Sequence, residues 1–131
     1  MPQNKIFLDT NKIIDLVEKR NDSFSWESII GHQVYVSPLS IHILYYVGKY
    51  KIPMKALTEI VESYFGIVDF DKDILKVSLE GPTNDLEDNI QLHSAVKADC
   101  DVFLTDDAKL LKMKFFGRIR VRPDVGSNPT H

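Results

Sequence analysis

The chain has a single cysteine, Cys100, in 131 residues, which excludes an intramolecular disulfide. That residue precedes an apolar run and reads as a small buried side chain rather than a nucleophile. Long hydrophobic runs are missing too. No segment is long enough to span a bilayer, and the N-terminus lacks the apolar h-region of a secretory signal. A cytoplasmic protein with no membrane attachment is therefore expected. An excess of positive charge is also absent. Sixteen Lys and Arg stand against nineteen Asp and Glu, a formal net charge of −3, so any nucleic-acid contact must come from a local patch. There is no repeat, low-complexity block or interdomain linker. One domain over residues 1–125 is expected, with 126–131 (Gly126 to His131) as a frayed tail.

What is present is organised around Lys5-Ile6-Phe7-Leu8-Asp9-Thr10-Asn11. A continuous apolar run of this length predicts a strand buried on both faces, as in a parallel sheet. The pattern Ile13, Ile14, Leu16, Val17 then predicts a helix to about Lys19, capped by Thr10 or Asn11. Asp9 falls at the carboxyl end of a central strand, the edge where open α/β sheets bind ligands. A carboxylate there also suits a helix start, where it offsets the dipole. The stretch Asp101-Val102-Phe103-Leu104-Thr105-Asp106-Asp107 repeats the grammar: apolar strand, then Thr and acids. Two strand ends that deliver carboxylates to one edge point to a site for a hard cation.

Between these stretches Asn21-Asp22-Ser23 breaks the first helix, and a short helix over Phe24 to Ile30 ends at Gly31. Val34-Tyr35-Val36 predicts a strand. Ser37-Pro38 reads as an N-cap followed by proline at the first helical position. A further helix starts at Pro53, with Leu57, Ile60, Val61 and Phe65 on its buried side and Gly66 as its stop. Ile67 to Phe70 predicts a short strand, and Asp71 caps a brief helix over Ile74 to Leu79. After the break at Gly81-Pro82-Thr83-Asn84, Asp85 opens a helix running to Lys97. Val102-Phe103-Leu104, a helix over Ala108 to Met113 and a last strand over Ile119 to Val121 complete a three-layer α/β domain.

The densest acidic cluster is Asp85-Leu86-Glu87-Asp88. Asp85 and Asp88, three apart, share a face in the first helical turn, while Glu87 is expected to point elsewhere, into solvent. Acids in a first turn commonly just offset the dipole. Beside Asp9 and Asp107, however, Asp88 makes a third carboxylate. Clustered carboxylates repel unless a cation neutralises them, and Mg²⁺ or Mn²⁺ suits an oxygen-only donor set.

Three short motifs, Leu8-Asp9-Thr10-Asn11, Asp85 to Gln91 and Leu104-Thr105-Asp106-Asp107, resemble in order and spacing the PIN domain of the toxin ribonucleases of VapBC type II toxin–antitoxin pairs. The resemblance spans nearly the whole chain. It implies a parallel sheet of four to five strands flanked by helices, and an Mg²⁺- or Mn²⁺-dependent endoribonuclease. It also implies RNA as substrate, a cognate antitoxin as partner and a homodimer. Carried over by position, the metal-binding and catalytic acids are Asp9, Asp88 and Asp107, with Thr10, Asn11, Asp85, Thr105 and Asp106 as accessory residues.

One position departs from the pattern. The helix after the second strand carries a glutamate in the family, but here Ser40-Ile41-His42-Ile43-Leu44 puts Ile43 in its place. A weakened nuclease, or a PIN-fold module that binds RNA or protein without cutting, is the alternative this raises. His42 lies about a quarter-turn away on the helix. A phosphatase-like hydrolase and a structure-specific DNase are the further alternatives. Lys109, Lys112, Lys114, Arg118, Arg120 and Arg122 form a local basic window without an acid. Of these, Lys109, Lys112 and Arg118 are the expected RNA contacts, against the plainer reading of a solvated helix and a charged edge strand. Tyr45 and Tyr46 are candidates for base stacking, with core packing the expectation for at least one.

Overall fold

The computed structural model describes residues 4–20 and 24–126. The break expected at Asn21-Asp22-Ser23 and the tail residues 127–131 lie outside the described residues.

Strands β1 (Lys5–Leu8), β2 (Gln33–Val36), β3 (Gly66–Ile67), β4 (Val102–Leu104), β5 (Phe115–Phe116) and β6 (Ile119–Arg122) form one sheet in the order β3-β2-β1-β4-β6-β5. All neighbouring pairs are parallel except β5 with β6. The sheet therefore has six strands, not four to five. The extra one is Phe115–Phe116, which is too short to leave an alternating pattern. It pairs back on β6 through a turn at Gly117, where φ is +62°.

β1 is buried because it is central. Ile6 and Leu8 face one core with Val34, Val36, Val102 and Leu104, under α1 (Thr10–Glu18), α2 (Pro38–Gly48) and α3 (Lys55–Tyr64). Phe7 and Phe103 face the other side and stack at 5.6 Å with an interplanar angle of 9°. Such a pair adds about 0.5–1.5 kcal/mol beyond its burial. Leu92, Ala95, Leu110, Ile119 and Val121 complete this second core. It lies beneath α5 (Leu86–Lys97) and α6 (Ala108–Leu111), with α4 (Lys72–Ser78) against α5. Cys100 belongs to it, and burial pushes its thiol up to about 12, which suits a packing role.

Local differences from the sequence pattern have local causes. α1 is capped by Asp9 rather than Thr10 or Asn11, because the Asp9 carboxylate accepts from Thr10 N at 2.8 Å. The helix expected from Pro53 begins at Lys55, and Gly66 opens β3 instead of closing α3. A Cβ on Gly66 would stand 2.7 Å from the Tyr35 ring, so the glycine lets β3 lie against β2. The expected helix after Phe24 is a single 3₁₀ turn, Trp26–Ile29.

The connections decide where a site can form. From β1 the chain moves to β2 and β3 on one side, then returns to β4 on the other. β1 and β4 are thus neighbours whose following segments diverge. The crevice beyond their carboxyl ends is the topological switch point, where open α/β sheets bind ligands.

Candidate metal centre

Asp9 leaves β1 and Thr105-Asp106-Asp107 leaves β4, on the two sides of the switch point. Asp9 is 6% exposed, and both its oxygens are committed. Oδ1 caps α1, and Oδ2 accepts from Thr105 Oγ1 at 2.7 Å. The Thr105 hydroxyl oxygen also receives Asp107 N at 3.0 Å, so one buried threonine joins two acids from adjacent strands. Asp107 in turn caps α6 through Lys109 N at 2.8 Å, and Asp85 caps α5 through Asp88 N at 2.9 Å. Asp88 differs from all of these. Among the described residues its half-buried carboxylate has no hydrogen-bond partner.

These groups line one cleft of about 290 Å³, together with Thr10, Asn11, Ile14, Arg20, Ile43, Val47 and Glu87. Burial, then the charges of Asp85, Asp9, Asp107 and Glu87, push Asp88 up to about 7. Asp9 is raised as well, chiefly by burial, against the lowering effect of its bonds from Thr105 and Thr10. Mutual repulsion of this kind is what a bound cation would relieve. The donors are all oxygen, which suits Mg²⁺ or Mn²⁺. Among the described residues no three acids, histidines or cysteines stand ready as a cage.

Of the residues singled out in the sequence, Asp9, Asp88, Asp107, Thr10, Asn11 and Asp85 line the cleft, and Thr105 lies fully buried behind Asp9. Asp106 does not line it. It pairs at 3.1 Å with Lys12, a cation only 4% exposed whose Nζ also sits 4.3 Å over the Phe24 ring. Lys109 and Lys112 are exposed at the start and the C-cap of α6, and neither lines the cleft. Arg118 is elsewhere: it precedes β6 and lines a separate depression with Cys100 and Asp101 at the amino edge. Ile43 lines the acidic cleft, whereas His42 lines a different hollow between α2 and α3. Tyr45 packs edge-on against Tyr50, and Tyr46 is exposed.

Glu87 corrects an expectation. It is half-buried rather than solvated, and its Oε2 accepts from Thr10 Oγ1 at 3.1 Å. Beneath it run two side chains that pattern reading passed over. Gln91 Nε2 donates to Ser40 Oγ at 2.7 Å and to Thr10 Oγ1 at 3.1 Å, and the two hydroxyls lie 2.7 Å apart. Gln91 and Ser40 are fully buried. A glutamine one turn after an acid on the inner face of α5 was the available signal, and it was ambiguous without knowing which helix stood opposite.

An open, mostly parallel sheet with an acid-lined cleft at its switch point defines the class: an α/β protein whose carboxylates gather at the carboxyl edge of the sheet. The sequence pattern of the PIN domain matches residues 6–116, and the chain belongs to this family, whose members are nucleases. Two solved structures share the fold. One is VapBC2 from Rickettsia felis bound to a DNA fragment from its promoter, with TM-score 0.62 and 19% identity over 89% of this chain and 96% of the other. The other is FitAB bound to an IR36 DNA fragment, with TM-score 0.51 and 19% identity over 96% of this chain and 99% of the other. No curated protein matches the chain significantly.

Proposed function

We propose that this protein is an Mg²⁺- or Mn²⁺-dependent endoribonuclease, the toxin of a type II toxin–antitoxin pair. The observation that carries the reading is the convergence of Asp9, Asp107 and Asp88 on one cleft, with the Asp88 carboxylate unpartnered among the described residues and its ionised form disfavoured by burial and by like charge. Asp9, Asp88 and Asp107 would hold the cation. Once bound, a divalent cation polarises a phosphoryl oxygen and lowers the pKa of water. The chain's own part is positional. Thr105 fixes the rotamer of Asp9, and the helix caps fix Asp85 and Asp107. Lys109 and Lys112, exposed on the helix that Asp107 caps, would offer phosphate contacts. The assemblies named for the similar structures support an antitoxin as partner, and a homodimer is proposed by the same analogy. Among the described residues no helix is long and apolar enough to cross a membrane; action in the cytoplasm is part of the proposal.

A second reading has its own observation. Ile43 presents an apolar wall to the cleft, which favours a PIN-fold binding module with weakened cleavage. The two separate on a panel of structured RNAs and matched DNAs. Cleavage of RNA that stops with EDTA, returns with Mn²⁺ and is lost in Asp88→Asn supports the nuclease. Binding without metal-dependent cleavage of any RNA sinks it in favour of the module, and cleavage confined to DNA sinks the choice of substrate.

A further inference from the structure

The hydroxyls under the cleft have a fixed direction. A threonine hydroxyl holds one proton and accepts two. Thr10 Oγ1 gives its proton to Glu87 Oε2 and receives Gln91 Nε2. The short contact with Ser40 must therefore be donation by Ser40, which itself accepts the other Gln91 hydrogen. Every donor site in the chain Gln91, Ser40, Thr10 is used, and all of it ends on the Glu87 carboxylate. Each of the three donors is buried. A glutamate tied down in this way is not a surface acid that happens to lie near the cleft. Its carboxylate is held beside Thr10, the residue next to Asp9, and its second oxygen, Oε1, has no partner among the described residues.

Asp85 has a different place. It is exposed, and one of its oxygens is spent on the cap of α5. The α2 wall offers no acid at all. Ser40 and Ile43, three apart, share a face of α2, and that face gives the cleft a hydroxyl below and an isoleucine above. We propose that Glu87, positioned by the Gln91–Ser40–Thr10 chain, is a further oxygen ligand to the cation of this cleft, so that α5 supplies two acids and α2 none. The inference rests on the metal-dependent reading given above.

The test is Mn²⁺ binding to the full chain, followed by calorimetry and by loss of the free-ion electron paramagnetic resonance signal, with Asp88→Asn as reference. Glu87→Gln should weaken Mn²⁺ binding roughly 10–100-fold, the range seen when a supporting group of a metal site is removed. Adding Ile43→Glu to Glu87→Gln should restore most of the lost affinity, because position 43 faces the same cleft. A role confined to packing would lower the metal-free melting temperature of Glu87→Gln and leave Mn²⁺ affinity unchanged, and that result overturns the proposal. If Glu87→Gln does not fold, Glu87→Asp keeps the charge but shortens its reach. Weakened Mn²⁺ binding by that variant supports the proposal, and unchanged binding overturns it. Loss of Mn²⁺ binding in Asp88→Asn but not in Glu87→Gln defeats this inference alone. Failure of the unaltered protein to bind Mn²⁺ defeats the metal-dependent reading with it.

Discussion

Thr105 donates its hydroxyl proton to Asp9 Oδ2 across 2.7 Å, between residues 96 apart in sequence. Both are buried, and this bond ties the ends of β1 and β4 together at the cleft floor. A hydrogen bond to a charged group is worth about 1.5–3 kcal/mol net. Thr105→Val should therefore lower unfolding stability by about 1.5–3 kcal/mol, and Thr105→Ser should retain most of it. Urea unfolding of the three proteins checks this. Equal stability of the valine and serine variants would show that the hydroxyl does not matter.

Asp88 gives the metal-free protein a pH dependence of definite sign. Its folded-state pKa is raised from 3.8 to about 7, so the folded state binds a proton more tightly than the unfolded one. Its contribution to stability is complete below about pH 3.8 and is lost as pH rises through about 7. In EDTA, stability should thus fall between about pH 4 and about pH 7 and level off above, and Asp88→Asn should flatten the fall. Some slope should survive in the variant, because Asp9 is raised as well. Saturating Mn²⁺ should stabilise the unaltered protein at pH 8 and leave Asp88→Asn nearly unmoved. An unchanged slope in Asp88→Asn would remove the basis for this assignment.

The Lys12–Asp106 pair is asymmetric, with side-chain exposures of 4% and 48%. Removing the exposed partner strands a buried cation, whereas replacing the buried one with a group of similar length strands nothing. Asp106→Ala should cost up to ~3 kcal/mol, short of a fully buried broken pair because Phe24 still faces Lys12. Lys12→Met should be near neutral. Thermal melts in which Lys12→Met is the worse of the two would contradict this account.

Charge placement separates the basic residues. Each phosphate contact contributes roughly 0.7 to the slope of log affinity against log salt for a single strand. Lys109→Ala with Lys112→Ala should reduce that slope for RNA binding by about 1.4. Arg118→Ala should leave it unchanged, because Arg118 sits at the opposite edge of the sheet. A loss in Arg118→Ala equal to that of the lysine pair would mean RNA wraps both edges.

Ile43→Glu in the otherwise unaltered chain adds an acid to a cleft already lined by Asp9, Asp85, Glu87, Asp88 and Asp107. Without metal the added repulsion should lower the melting temperature. With Mn²⁺ the stabilisation should be larger than in the parent, and RNA cleavage should rise, though by less than the ~10²–10⁴-fold typical of a missing acid–base group. A lower melting temperature with no gain in Mn²⁺ affinity would show that position 43 is only a wall.

The sequence determined the parts of this protein that depend on local pattern. The apolar runs Ile6-Phe7-Leu8 and Val102-Phe103-Leu104 admit burial on both faces only, which requires a parallel sheet covered on both sides. Acids within three residues of the end of each run had to emerge near the carboxyl edge, so Asp9 and Asp107 were legible as a pair. Ile43 was legible as the place where the pattern lacks an acid. Tertiary structure decided what depends on which elements stand opposite one another. Glu87 lies next to Asp88 in sequence, yet its environment is set by Thr10, 77 residues away. Asp106 and Asp107 are adjacent, but one turns to Lys12 and the other to the cleft. Arg118 shares a basic window with Lys112, but the β5–β6 turn carries it to the far edge. Neighbours in a chain diverge by a side-chain angle, whereas contacts across a crevice arise only once the sheet order brings the loops together.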